Sequence, residues 1–132
     1  MIRNMFNEYS GAVVVPLAHA RDALARQLID AVKVNSFEET RDALARNASP
    51  NFQDDEGMTA LHHAAARGAR TSLRMLVASG KCDYLIADNR GRYPSDLAIE
   101  WSRDFAVARL LTRKRMEQAH AQGVAPRGMA VP

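Results

Sequence analysis

One cysteine in 132 residues leaves Cys82 nothing to pair with inside the chain. An internal disulfide is excluded, and a reducing compartment becomes the default. Cys82 also lacks a nearby histidine and stands beside Asp83, so its thiol has no reason to be activated. No apolar run approaches the roughly 20 residues of a membrane span. The chain contains no Gly-rich phosphate loop, no nucleophile–base pair and no His/Cys/Asp/Glu set at ligand spacing. Catalysis, a bound cofactor and a metal site are thus all unexpected. Aromatic residues make up only 6%, against 47% hydrophobic and 25% charged, a balance that supports one domain with a modest core.

What the chain does contain is internal repetition. Asp54-Asp55-Glu56-Gly57-Met58-Thr59-Ala60-Leu61-His62-His63-Ala64-Ala65-Ala66-Arg67-Gly68 is followed by Leu73, Leu76, Val77 and Gly80 at helical spacing. Thirty-four positions on, Asp88, Gly91, Ala98, Val107, Leu110 and Leu111 repeat that pattern, with Pro94 at the turn. Thirty-three positions back, Ala31, Leu44 and Asn47 form a weaker copy. The central segment resembles the ankyrin repeat, whose usual form is D-x-x-G-x-T-P-L-H-x-A-A-x-x-G. Ala60 alone departs from it, standing where proline usually opens the first helix, and a helix tolerates alanine there. The resemblance implies an all-α helix-turn-helix solenoid with degenerate capping repeats. The repeats are expected at about 20–53, 54–87 and 88–122, within a domain spanning 17–122. Terminal repeats bury only one side, so weak outer copies are the expected form.

Each matching residue has a mechanical purpose. Gly57 and Gly91 suit tight hairpin tips, where Asp54 and Asp88 can accept backbone N–H bonds. Ala64, Ala65 and Ala98 let helices approach closely, while Leu61, Leu73, Leu76 and Val77 supply the apolar face between layers. His62 resembles the family's structural histidine, which bonds to neighbouring backbone. Adjacent residues on a helix face different ways, so His62 and His63 make a poor metal pair.

Helices are expected over Leu17 to Lys33, from a Ser36–Glu39 capping box to near Arg46, and over Thr59 to Arg67 and Thr71 to Ser79. The last repeat should give Ser95 to Trp101 and Asp104 to Ala121, with Gly123 ending it. Residues 1–16 read as an extended lead-in that packs Val13 to Val15 near the first helix, and Pro16 starts that helix. A secretory signal is the weaker reading, because Pro16 interrupts the apolar run and Glu8 stands where positive charge belongs. Cytoplasmic location is therefore expected, with secretion or a periplasmic site as the alternative. Residues 123–132, with Pro126, Gly128 and Pro132, read as a disordered tail. High Arg and Ala usage with little Lys hints at a bacterial source.

The resemblance also implies function: a non-catalytic module that binds another protein through hairpin tips and the groove formed by first helices. Carried over by position, the tip candidates are Gln53, Asp55, Glu56, Met58, Asn89, Arg90 and Arg92. The groove candidates are Lys33, Val34, Ala66, Arg67, Glu100 and Trp101. Trp101 either anchors a partner, as aromatic residues often do, or folds over the last turn. An acidic partner carrying an apolar pocket would suit this set.

Charge is unevenly placed. Between Asp30 and Glu56 seven acidic residues face three basic ones, and between Arg90 and Arg115 the balance is seven basic to three acidic. Arg109, Arg113, Lys114 and Arg115 could engage nucleic acid or an anionic surface, the alternative function. Phosphate tracking usually needs a broader basic face, so a solvated helix face is the preferred reading. Opposite charge at the two ends permits head-to-tail stacking, yet a monomer is expected, because the helix Asp104 to Ala121 and the tail should cover the last layer.

Overall fold

The computed structural model describes residues 17–123, so the lead-in, the signal reading and residues 124–132 of the tail lie outside the described residues. Three helix pairs follow one another. They are α1 (Leu17–Lys33) with α2 (Phe37–Ala45), α3 (Ala60–Arg67) with α4 (Arg70–Ala78), and α5 (Pro94–Leu97) with α6 (Phe105–Ala121). There is no strand among the described residues. The first helices stack α1 on α3 on α5, and α2 lies against α4 behind them.

Local chemistry sets the boundaries. Ser36 Oγ accepts the Glu39 N–H at 3.2 Å and starts α2, while Glu39 returns no bond, so only half of the expected capping box forms. At α3 the box closes with a histidine: Thr59 Oγ1 accepts the His62 N–H, and His62 Nδ1 accepts the Thr59 N–H at 3.2 Å. Each corner between paired helices ends on a left-handed residue, Asn35, Gly68 or Arg103. Glycine takes that conformation without cost and asparagine with little, whereas Arg103 at φ 57° is strained.

That strain accompanies a departure from the expected Ser95 to Trp101 helix. After Leu97 the chain widens into a π-helical segment, Ala98–Ser102. Ser102 stands where the central repeat has Gly68, and its Oγ donates to Ala65 O at 2.8 Å and Ala98 O at 3.2 Å. These bonds hold the widened turn against the layer below. The left-handed corner consequently falls one residue later, on Arg103.

The layers are tied at nearly constant sequence separation. Arg70 forks onto Asp104 at 2.7 and 2.8 Å, Asn89 Nδ2 donates to Asp55 O, and Lys81 Nζ donates to Asn47 Oδ1, each across 34 residues. One apolar cluster runs through all three layers, from Leu28 and Val32 through Leu61, Leu73 and Leu76 to Val107 and Leu111. Buried Ala60, Ala64, Ala65 and Ala98 keep the first helices close. The outer side of the last layer stays open, with Ile99 45% and Phe105 50% exposed.

Candidate functional site

Two hairpin tips of the same construction project from the stack. Asp54 N–H donates to Met58 O and Gly57 N–H to Asp54 O; Asp88 with Arg92, and Gly91 with Asp88, repeat both bonds. Asp54 Oδ1 accepts the Glu56 and Met58 N–H groups at 3.0 Å, and Asp88 Oδ1 those of Arg90 and Arg92 at 2.9 Å. Gly57 is required twice over. Its φ is +76°, and a Cβ there would lie 2.7 Å from the Asn89 backbone nitrogen.

The adjacent histidines have separate tasks. His62 Nε2 lies 2.9 Å from Arg92 O, reaching the next tip, while His63 Nε2 lies 2.8 Å from Asp54 Oδ2 on its own tip. With Nδ1 accepting from Thr59, His62 is the neutral Nε2–H tautomer, and burial holds its pKa below the ordinary value. Burial works to raise the Asp54 pKa, but bonds from His63, Met58 and Glu56 outweigh it and lower the value. Asp88 is lowered in the same way: burial opposes, and the Arg92 and Arg90 bonds prevail.

A pH dependence follows. The His62 contribution is complete above the unfolded value near 6.5 and declines as pH falls below it; those of Asp54 and Asp88 decline below about 3.8. We expect the thermal midpoint to fall in these two stages on acidification, with His62→Gln flattening the first. A wild-type midpoint constant from about pH 7 to pH 5 would contradict the assignment of His62.

Between the tips and the first helices lies an open concavity of about 640 Å³. Asp55, Glu56 and Met58 line it from the central repeat, with Ala66 and Arg67 at the end of α3. Asn89, Arg90, Arg92 and Trp101 line it from the last repeat. His63, which sequence reasoning weighed only as a metal ligand, also lines it; its nine-residue spacing from Asp54 was the available signal.

The members differ in availability. Met58 is only 9% exposed and forms floor rather than tip. Gln53 lies outside the concavity and donates to Gly57 O and Ala87 O, tying the tips together. Asn89 is exposed but bonds the neighbouring tip through Glu56 O and Asp55 O. Arg92 is committed to Asp88 at 2.9 Å and lies 3.8 Å from Glu100, which sits beside the concavity. Arg67 and Arg90 are exposed and have no ion pair among the described residues. Lys33 is exposed and lines an adjoining hollow with Asp54, Asp55 and Glu56, the last two shared with the concavity, while Val34 is exposed on the first layer outside both. Trp101 is 65% exposed, so it does not fold over the last turn.

The basic C-terminal helix is less continuous than its sequence. Arg109 and Arg113 are exposed, but Arg115 is 7% exposed, with its guanidinium 4.3 Å above the Tyr93 ring. Arg115 therefore packs the last layer and leaves the proposed phosphate-tracking set. Cys82 is buried, its Sγ donating to Leu76 O at 3.3 Å, and burial pushes its thiol pKa up to about 12. The native protein should react with a thiol reagent only after unfolding; prompt labelling of folded protein would contradict this burial.

No helix among the described residues is long and apolar enough to cross a membrane. A family model described as ankyrin repeats (3 copies) matches residues 28–121. A search of curated proteins found no match.

Proposed function

The chain belongs to the ankyrin-repeat family, generally protein–protein interaction modules, and we propose that it acts as a non-catalytic adaptor or inhibitor for a protein partner. The partner is held by the concave surface, with Asp55, Glu56, Met58, Arg67, Asn89, Arg90, Arg92, Glu100 and Trp101 in or beside the contact. The observation that carries this reading is the largely exposed Trp101 beside two uncommitted guanidinium groups. Tryptophan and arginine are enriched among the residues that dominate binding energy at interfaces, and here both line one concavity. Arg67 and Arg90 can each take a carboxylate in bidentate fashion, which favours a partner with an acidic rim.

The working unit in this proposal is 17–122, divided at 20–53, 54–87 and 88–122. Function in the reducing cytoplasm fits a lone buried thiol with no partner cysteine. Capture of partners from the native cell on immobilised full-length protein tests the reading. Wild-type and Arg113→Ala baits should retain the same protein, and a Trp101→Ala bait should lose it. Equal retention on all three would refute the concave site.

A further inference from the structure

Both end faces of the stack show a hollow between the two helices of a terminal layer, on the side away from the central repeat. The first-layer hollow carries Asp30 of α1 and Glu39 and Asp42 of α2, against one cation, Arg46. The last-layer hollow, about 570 Å³, is largely apolar, with Ile99, Phe105 and Met116 inside and Arg109 and Arg113 along it. The monomer expected from sequence requires α6 and the tail to close this face, and α6 leaves it open.

We propose that the chain self-associates head to tail, the last layer of one copy seating on the first layer of the next. Adjacent layers meet at 34-residue steps, as Arg70–Asp104, Asn47–Lys81 and Asp55–Asn89 show. One more step of the same kind places α6 over α2 of the next copy and the π-helical segment over its α1. Phe105, 50% exposed on the wall of the last-layer hollow, then seats against the first-layer hollow of the next copy, whereas Phe37 lies on the other side of α2, near Thr40, which bonds Ser72 of the central repeat.

The two end faces carry opposite net charge. Arg109 and Arg113 are one helical turn apart on α6, exposed, and without an ion pair among the described residues. Glu39 and Asp42 are one turn apart on α2 and equally exposed; Asp42 has a 3.8 Å contact to the neighbouring Arg41. The last-layer hollow thus carries two cations with Glu117, and the first-layer hollow three anions with Arg46, so the two faces have opposite net charge, with Ile99 and Phe105 beside the cations. Exposed ion pairs are individually weak and screened by salt, so the association is weak and salt-sensitive. Because the contact is heterologous and does not close, growth is open-ended.

Sedimentation of the full chain over a concentration series tests this. At roughly 0.01 M salt, where screening is slight, the weight-average mass should rise at least about twofold; near 1 M salt it should return to monomer. Arg109→Glu/Arg113→Glu and Glu39→Arg/Asp42→Arg double variants should each stay monomeric alone, because like charges then face each other. Their equimolar mixture should assemble again, which a misfolded variant could not do. Trp101→Ala should assemble like wild type, separating this surface from the concave one. A wild-type chain that stays monomeric throughout at low salt overturns the proposal, whether residues 124–132 or another partner occupies the face. Assembly that ignores both double variants, or a mixture that fails to regain it, overturns it equally.

Discussion

Leu76→Ala is expected to remove about 2–5 kcal/mol of folding stability, the range for truncating a buried leucine. Leu76 is fully buried in the cluster that joins all three layers, and its backbone carbonyl receives the Cys82 thiol. It belongs to the central repeat, which has a layer on either side. The void left by truncation is therefore walled by helices already held through Arg70–Asp104 and Asn35–Ser72, and it collapses poorly. A three-layer solenoid has few interlayer contacts to share the loss, and nearest-neighbour coupling should unfold the stack together. Urea unfolding measures it: the midpoint should drop while the slope is retained. A loss below about 1 kcal/mol would place Leu76 outside the core and undo the repeat register.

Trp101→Ala should weaken partner binding by at least about 2 kcal/mol, some thirtyfold, if Trp101 is the anchor of the concave surface. Its fold should persist. The side chain is 65% exposed, and the segment that presents it is held by Ser102 bonding to Ala65 and Ala98. Surface changes of this kind usually alter stability by less than about 0.5 kcal/mol. Titration calorimetry with the captured partner, alongside thermal unfolding, separates the two effects. Arg113→Ala lies on α6, away from the groove, and should change affinity little. Suppose Trp101→Ala melts the last repeat while binding follows Arg109, Arg113 and Lys114. The groove reading would then fail, and the basic helix would carry recognition.

The helical solenoid was legible because its determinants are local or periodic. Asp54, Gly57, Ala64 and Leu73 recur one repeat on as Asp88, Gly91, Ala98 and Val107, and each acts within a turn or on one helix face. The range Leu17 to Lys33 matches α1, and Asp104 caps α6 through the Val107 N–H. Prediction failed where an outcome depends on a contact between layers. Nothing in Ser95 to Trp101 announces a π-helical segment; it depends on Ser102 reaching the Ala65 carbonyl in the layer below.

The candidate surface divides along the same line. Position within the repeat was enough to nominate tips and groove, because one repeat length carries each residue onto its neighbour's counterpart. Availability was not readable. Gln53 and Asn89 look like free tip amides in sequence, yet both are spent bridging adjacent tips. Arg92 and Arg115 resemble Arg90 and Arg113 as letters, but one is held by Asp88 and the other lies over Tyr93. Trp101 could tuck or stand out, and in the folded stack it stands out. By itself the sequence determined the family, the repeat register and the helix faces, because backbone propensity and apolar periodicity act over a few residues. The tertiary structure alone decided which polar side chains remain uncommitted. Gln53, His62, Asn89 and Ser102 are committed by hydrogen-bond partners 30 or more residues away, which meet them only once the layers have stacked.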